Sequence, residues 1–274
     1  MHLGIIGYGS ITSTLLDLLA SDGSLDIKRL TLLARPAKRD IADMALRNHA
    51  LASISTLQVV EDADAMVAQR PDLVVECAGC AAVADYAPAL LRADIDVATI
   101  SIGALADEAV QAKLTDAASA GRARLILPSG AIGGIDLLSA LGAVETVDVV
   151  YRGTKPPKAW RGTPAEQSIA LDDLRERTTF FQGSAREAAL TYPKNANVAA
   201  TLALAGGGFD ATKVQLIADP HATGNSHAYD VVSPSARFTM QIEGIPSPGN
   251  AKTSVATVYS ILREIKNHKG PVTI

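Results

Sequence analysis

Aromatic residues make up only 4% of this 274-residue chain and tryptophan occurs once, so the core has to be built from Ala, Leu, Ile and Val. Cysteine is scarce too. Cys77 and Cys80 form a single C-x-x-C, and no second pair stands at a spacing that would complete a structural zinc site, so no metal is expected. A redox dithiol is the alternative, but the pair follows the buried run Leu73-Val74-Val75-Glu76, which favours two small packing residues. Excess positive charge is missing as well. A net charge of −4 gives no general attraction to nucleic acid or anionic membrane, and leaves any anionic ligand to local groups. No basic leader with an apolar run opens the chain, and no apolar stretch reaches the length of a membrane span. A cytoplasmic protein with no nucleic-acid or membrane partner is expected. Internal repeats and low-complexity stretches are also lacking.

What is present reads first as a nucleotide fold. Leu3-Gly4-Ile5-Ile6 is a short apolar strand that runs into Gly7-Tyr8-Gly9-Ser10-Ile11-Thr12. Leu15, Leu16, Leu18 and Leu19 then keep helical spacing, and Gly23 follows where a helix would stop. Strand, glycine turn and helix form the context of a dinucleotide fingerprint. Gly7 permits the tight turn, and Gly9 with Ser10 and Ile11 lets a pyrophosphate approach the helix N-terminus. Thr12 stands where a third glycine would serve helix packing, and G-x-G by itself is a weak signal.

Further strands are expected at 29–34, 72–78, 95–100 and 124–127, with helical patterns at 81–92 and 106–120 between them. That alternation predicts an α/β protein: an N-terminal Rossmann-type, doubly wound parallel sheet followed by a second α+β domain for substrate and dimerisation. The expected boundaries are 1–128 plus 248–274 for the dinucleotide-binding domain and 129–247 for the second. At the end of the second strand stands Arg35, near Lys38 and Arg39, with no carboxylate until Asp40. An acidic residue there suits NAD and an arginine suits NADP. Arg35 therefore points to use of NADP at least as readily as NAD, the alternative being a solvated basic loop.

After Leu125-Ile126-Leu127 comes Pro128-Ser129-Gly130-Ala131-Ile132-Gly133-Gly134, a glycine-dense loop on the carboxyl side of the sheet, where ligands of such folds bind. Val144 to Tyr151 alternates like a half-exposed strand. The segment 152–164 is irregular, cationic and proline-stiffened, and carries Trp160. It reads as a strap whose tryptophan needs burial against a partner surface, which motivates an expected homodimer through the second domain's sheet. Phe180 to Ser184 is taken to open a helix through Leu190, and Asn195 or Asn197 to cap a helix over 198–204.

The chemistry is expected between 218 and 230. Val214 to Ala218 alternates as a strand, Asp219-Pro220 ends it, Gly224-Asn225 makes the reversal, and His227 to Val232 returns. His227 would then sit at the mouth of a hairpin, able to exchange a proton near neutral pH. The ordinary alternative is a surface histidine. Asp219, on the neighbouring strand of that hairpin, is a candidate to orient the ring or raise its pKa.

Taken together, these stretches resemble the L-aspartate dehydrogenase family over residues 1 to about 266. The residues that carry the resemblance are Leu127-Pro128-Ser129-Gly130-Ala131-Ile132-Gly133-Gly134, Lys155-Pro156-Pro157-Lys158-Ala159-Trp160-Arg161-Gly162-Thr163-Pro164-Ala165-Glu166, Gly183 to Ala189, Tyr192 to Thr201, and Ala218-Asp219-Pro220 with Asn225-x-His227. The resemblance implies His227 as the catalytic histidine and Ala131 and Asn197 as dinucleotide contacts. It implies oxidation of L-aspartate with NAD or NADP to iminosuccinate, which hydrolyses reversibly to oxaloacetate and ammonia or feeds NAD biosynthesis. Lys194, Lys252, Arg161 and the amide of Asn250 are candidates to hold the substrate carboxylates. Two alternatives remain: a related two-domain NAD(P) oxidoreductase acting on another small amino acid or hydroxy acid, and a non-catalytic NAD(P)-binding regulator.

Overall fold

The structure, a computed structural model, describes residues 1–22, 24–49, 51, 54–245 and 254–273. The chain divides into two compact units. One comprises Met1–Ala104, Glu108–Pro128 and Val258–Ile274, and the other comprises Leu105–Asp107 and Ser129–Thr257. Among the described residues no helix is long and apolar enough to cross a membrane.

The first unit alternates strands and helices in the order β1 (His2–Ile6), α1 (Ser10–Ser21), β2 (Arg29–Leu33), α2 (Arg39–Asn48), β3 (Thr56–Val60), α3 (Ala63–Gln69), β4 (Leu73–Glu76), α4 (Cys80–Arg92), β5 (Asp96–Thr99), α5 (Glu108–Gly121) and β6 (Leu125–Ile126). Its six-stranded sheet runs β3-β2-β1-β4-β5-β6 and every pair is parallel. This is the doubly wound arrangement, whose strand order reverses beside β1. All of β1 and β4 is buried, because helices cover both faces of a parallel sheet. Leu3, Ile5, Leu15, Leu16, Leu30, Leu32 and Val75 have no exposed surface, and each such burial stabilises by about 1.5–3 kcal/mol. Val258 and Ile261 of the last helix join that core. Asp62 caps α3 by accepting from the amide of Ala65 at 2.7 Å.

The second unit contains α6 (Ile135–Gly142), β7 (Asp148–Lys155), α7 (Ala165–Ser168), β8 (Thr178–Ser184), α8 (Ala185–Thr191), α9 (Asn197–Ala205), β9 (Lys213–Ala218), β10 (Ser226–Val232) and β11 (Arg237–Glu243), and α10 (Val255–Lys269) leads back to the first unit. Its five-stranded sheet runs β11-β10-β7-β9-β8. β7 pairs in parallel with β9 and antiparallel with β10.

Four sequence-based expectations change here. β9 and β10 do not form a hairpin, because β7 lies between them. The strand expected over 144–151 covers Asp148–Lys155 instead, and only Pro156, which cannot donate to a ladder, marks its end. Phe180 to Ser184 belong to β8; the helix begins at Ala185, where Ser184 and Glu187 form a reciprocal capping box. Finally, Trp160 is fully buried within its own chain. It packs edge-on against Phe180 at 4.8 Å and donates its indole N–H to the Ile217 carbonyl at 3.0 Å, so it calls for no partner surface.

Candidate active site and nucleotide turn

At the end of β1, Gly7 has φ +90, a conformation that L side chains rarely adopt, and a methyl group there would lie 2.5 Å from the Ala78 side chain. The turn after β1 therefore presses directly on the turn after β4. Gly9 precedes α1 with extended backbone, and a side chain added there would meet nothing within 4 Å. The first amides of α1 have no acceptor in their own helix, since the ladder begins with Ser13 N donating to the Gly9 carbonyl at 2.9 Å. Exposed Gly9 and Ser10, with Ile11 behind them, thus form an open helix N-terminus that fits a pyrophosphate. Thr12, in the third glycine position, is fully buried and its hydroxyl donates to the Gly7 carbonyl at 2.8 Å. The threonine ties the helix to the turn rather than holding it off.

The neighbouring turn is held by Glu76, a carboxylate with no exposed surface. Its Oε1 accepts from the amides of Ala78 and Gly79, both at 2.6 Å, and from Ser101 Oγ at 3.1 Å, and its Oε2 accepts from Thr99 Oγ1 at 2.6 Å. Burial, and then the Glu76 charge, push the Cys77 and Cys80 thiols up, so neither is an activated nucleophile. Arg35 and Lys38 stand exposed after β2 without an ion pair among the described residues. Arg39 is taken by Glu61 at 2.6 Å.

In the second unit, His227 lies opposite Gly153 in the β10–β7 ladder and is 6% exposed, so it is not a surface histidine, and the strand beside it is β7 rather than β9. Side chains alternate along β7, and Tyr151, Gly153 and Lys155 share the face of His227. The Tyr151 hydroxyl and His227 Nδ1 are 2.7 Å apart, and their rings lie nearly parallel. Gly153 makes this possible: a Cβ there would lie 2.7 Å from the Tyr151 oxygen. Burial, and then the charge of Lys155, pull the His227 pKa down to about 4, which keeps the imidazole neutral at neutral pH. Burial pushes the Tyr151 phenol up, so it too stays neutral. Burial pulls Lys155 down to about 8. Its ammonium donates to Asn195 Oδ1 at 2.6 Å and stands 5.1 Å from the centre of the Trp160 ring. Further along the same face, Tyr229 donates to the Gly133 carbonyl at 2.8 Å and pins the glycine loop that carries Ala131.

The second unit thus holds a neutral imidazole fixed at one nitrogen with a desolvated ammonium on the same face, and the first unit holds an open glycine turn at a helix N-terminus. Comparison with known proteins identifies the family. Residues 7–128 match the model described as homoserine dehydrogenase, NAD binding domain, and residues 136–268 match that for aspartate dehydrogenase, C-terminal. A protein of Ruegeria pomeroyi named L-aspartate dehydrogenase is 42% identical over 97% of this chain and 92% of its own. One of Bordetella bronchiseptica named L-aspartate dehydrogenase 2 is 42% identical over 100% and 98%. The crystal structure of aspartate dehydrogenase from Thermotoga maritima superposes with TM-score 0.76 at 30% identity, covering 100% of this chain and 99% of that one. This chain belongs to the aspartate dehydrogenase family.

Within this aspartate dehydrogenase fold the expected site residues fare differently. Ala131 is buried in the glycine loop, and Asn197 is the first residue of α9. Neither asparagine caps that helix: the N-cap is Ala196, and Asn195 holds Lys155 instead. Asp219 is not the partner of His227, since β7 separates their strands and Tyr151 takes Nδ1; the Asp219 carboxylate accepts from the His221 amide at 2.8 Å. The ring's pKa is lowered, not raised. Arg161 is exposed and paired with Asp172, so it is not a spare cation. Lys194 is exposed, and no hydrogen bond or ion pair joins it to the His227 group among the described residues. Asn250, Lys252 and Gly23 lie outside the described residues. Sequence reasoning missed Tyr151 and Lys155 as site residues. The signal was there in the period of two from Tyr151 through Gly153 to Lys155, which required extending the strand up to Pro156.

Proposed function

We propose that this aspartate dehydrogenase oxidises L-aspartate with NAD or NADP, giving iminosuccinate, which water converts reversibly to oxaloacetate and ammonia. Full-length likeness to enzymes named L-aspartate dehydrogenase carries this reading. The bound nicotinamide supplies an acceptor for the hydride of the substrate Cα. Everything else falls to side chains. Hydride leaves Cα only when the nitrogen lone pair is free to form the imine, so the substrate ammonium must first lose a proton. His227 takes it. When Nδ1–H donates to the Tyr151 oxygen, Nε2 carries the lone pair and serves as the base. The value of about 4 belongs to the protein without substrate, and carboxylates arriving beside the ring favour the imidazolium and raise it. Once that proton has passed to solvent as the net proton of the oxidation, the ring is a base again: in the hydrolytic half it draws a proton from the water that attacks the imine carbon, then returns it to the leaving amine.

Gly7, Gly9, Ser10 and Ile11 hold the pyrophosphate at the N-terminus of α1, and Arg35 admits the 2′-phosphate of NADP. Ala131 and Asn197 contact the dinucleotide, while Lys194, Asn250 and Lys252 are held as secondary candidates for the substrate carboxylates. The enzyme works in the cytoplasm as a homodimer joined through the second unit's sheet, and its iminosuccinate feeds NAD biosynthesis.

Initial rates of NAD(P)H formation with L-aspartate, and of its consumption with oxaloacetate plus ammonia, test the reaction. Turnover only of another amino or hydroxy acid would replace aspartate as the substrate, and cofactor binding without any turnover would leave a regulator. His227→Ala should bind NADPH normally and lose about 10²–10⁴-fold in kcat. Full turnover removes His227 from the chemistry.

A further inference from the structure

Three of the second unit's described cations have carboxylate partners, and several exposed ones are left to water. Arg152 pairs with Asp230, Arg161 with Asp172, and Arg186 with Asp210. Lys155 differs. Its ammonium is desolvated enough to be perturbed, yet its neighbours are the Asn195 amide oxygen and the Trp160 ring, with no carboxylate within ion-pair distance among the described residues. An ammonium has three hydrogens to donate, and Asn195 takes one. A partly buried cation without an anion is costly to keep unless something supplies the missing charge. It lies on the face of His227, close enough for its charge to depress that imidazole.

We infer that Lys155 is the cation that receives a carboxylate of the substrate, with Asn195 and Trp160 as positioning residues that aim its ammonium. This rests on the aspartate reading and deepens it by naming the group that makes the site one for an acid. It also couples recognition to chemistry. A carboxylate on Lys155 cancels the positive charge that holds His227 down, so the base strengthens when the correct substrate is seated.

The test uses the full-length wild-type enzyme and the variants Lys155→Met, Lys155→Arg and Asn195→Ala. Rates with L-aspartate are measured, together with the inhibition constant of succinate, a dicarboxylate with no amine to oxidise. NADPH affinity, read by fluorescence, checks that each variant is folded. Lys155→Met should raise the KM for aspartate and the inhibition constant of succinate together by about a hundredfold, with NADPH binding unchanged; loss of a charge-assisted hydrogen bond has that size. Lys155→Arg should restore part of the loss. Asn195→Ala keeps the charge and should weaken succinate by about tenfold, which preserves the test if Lys155→Met fails to fold. An unchanged inhibition constant for succinate in folded Lys155→Met overturns the proposal, as does a fall in kcat with KM intact. A wild-type enzyme without aspartate turnover would instead sink the reading of the reaction, and the succinate titration would still judge the lysine.

Discussion

Replacing Tyr151 by phenylalanine removes one oxygen from the second unit and should damage the reaction far more than the fold. Tyr151 is 1% exposed and His227 is 6% exposed, so no water readily replaces the hydroxyl at Nδ1. A buried nitrogen left without its partner costs about 1–3 kcal/mol, which at about 2–4 °C per kcal/mol lowers the melting temperature by roughly 2–12 °C. The kinetic cost has the same origin. If the phenol oxygen selects the tautomer with a free Nε2, loss of 1–3 kcal/mol from the reactive arrangement lowers kcat by about 5- to 150-fold. NADPH affinity and the KM for aspartate should hardly move, because the hydroxyl is engaged by the His227 ring. The assay is a double-mutant cycle with His227→Ala, read as initial rates of NADPH formation at saturating substrate. In that background Tyr151→Phe should cost nothing further. Full kcat in the single variant, or an equal loss with and without the imidazole, would refute the idea that Tyr151 acts through His227.

Other expectations concern charge and backbone. Lys155 is charged below its pKa of about 8 and neutral above it, so the KM for aspartate should be level below about pH 7 and rise by about tenfold per unit well above pH 8, in a pH series at constant ionic strength; Asn195, Trp160 and His227 are the groups around it. Gly134 has φ +70, and a methyl there would meet the Tyr229 oxygen at 2.6 Å, so Gly134→Ala should lower stability by about 2–4 kcal/mol in urea titrations and weaken cofactor binding. Glu76→Ala removes the acceptor of four donors, two of which, the Thr99 and Ser101 hydroxyls, are buried, and should destabilise the protein by about 2–5 kcal/mol, seen as a lower melting temperature. Arg35→Ala should weaken NADP by about tenfold while leaving NAD affinity unchanged, in paired fluorescence titrations.

The first unit was readable from the sequence because its signals are local. Buried runs such as Leu73-Val74-Val75 and the leucine spacing of α1 declare a covered parallel sheet without long-range information. Thr12 shows the limit of a motif: the chain satisfies helix packing with a hydroxyl where the pattern asks for a missing side chain. In the second unit the information is non-local. Nothing in residues 213–232 reveals that β7, some 60 residues earlier in the chain, slots between β9 and β10, and so the sequence points to Asp219, on the neighbouring strand of the expected hairpin, as the partner of His227. The cationic, proline-rich look of 152–164 hid the last turns of the pleat in Arg152 to Lys155. The basic neighbours of Trp160 suggest burial against a partner surface, whereas its indole N–H donates to the Ile217 carbonyl of its own chain and Lys155 stands over its ring.

The spacing along β7 also constrains how this protein can change. Phenol and ammonium flank Gly153 at plus and minus two, and that arithmetic survives substitution but not a shift in length. One residue gained or lost between 151 and 155 would send either Tyr151 or Lys155 to the far side of the pleat while leaving the ladder intact. Insertions past Pro156 carry no such penalty. Natural length variation should therefore gather downstream of that proline, and the short stretch ahead of it should act as a fixed ruler.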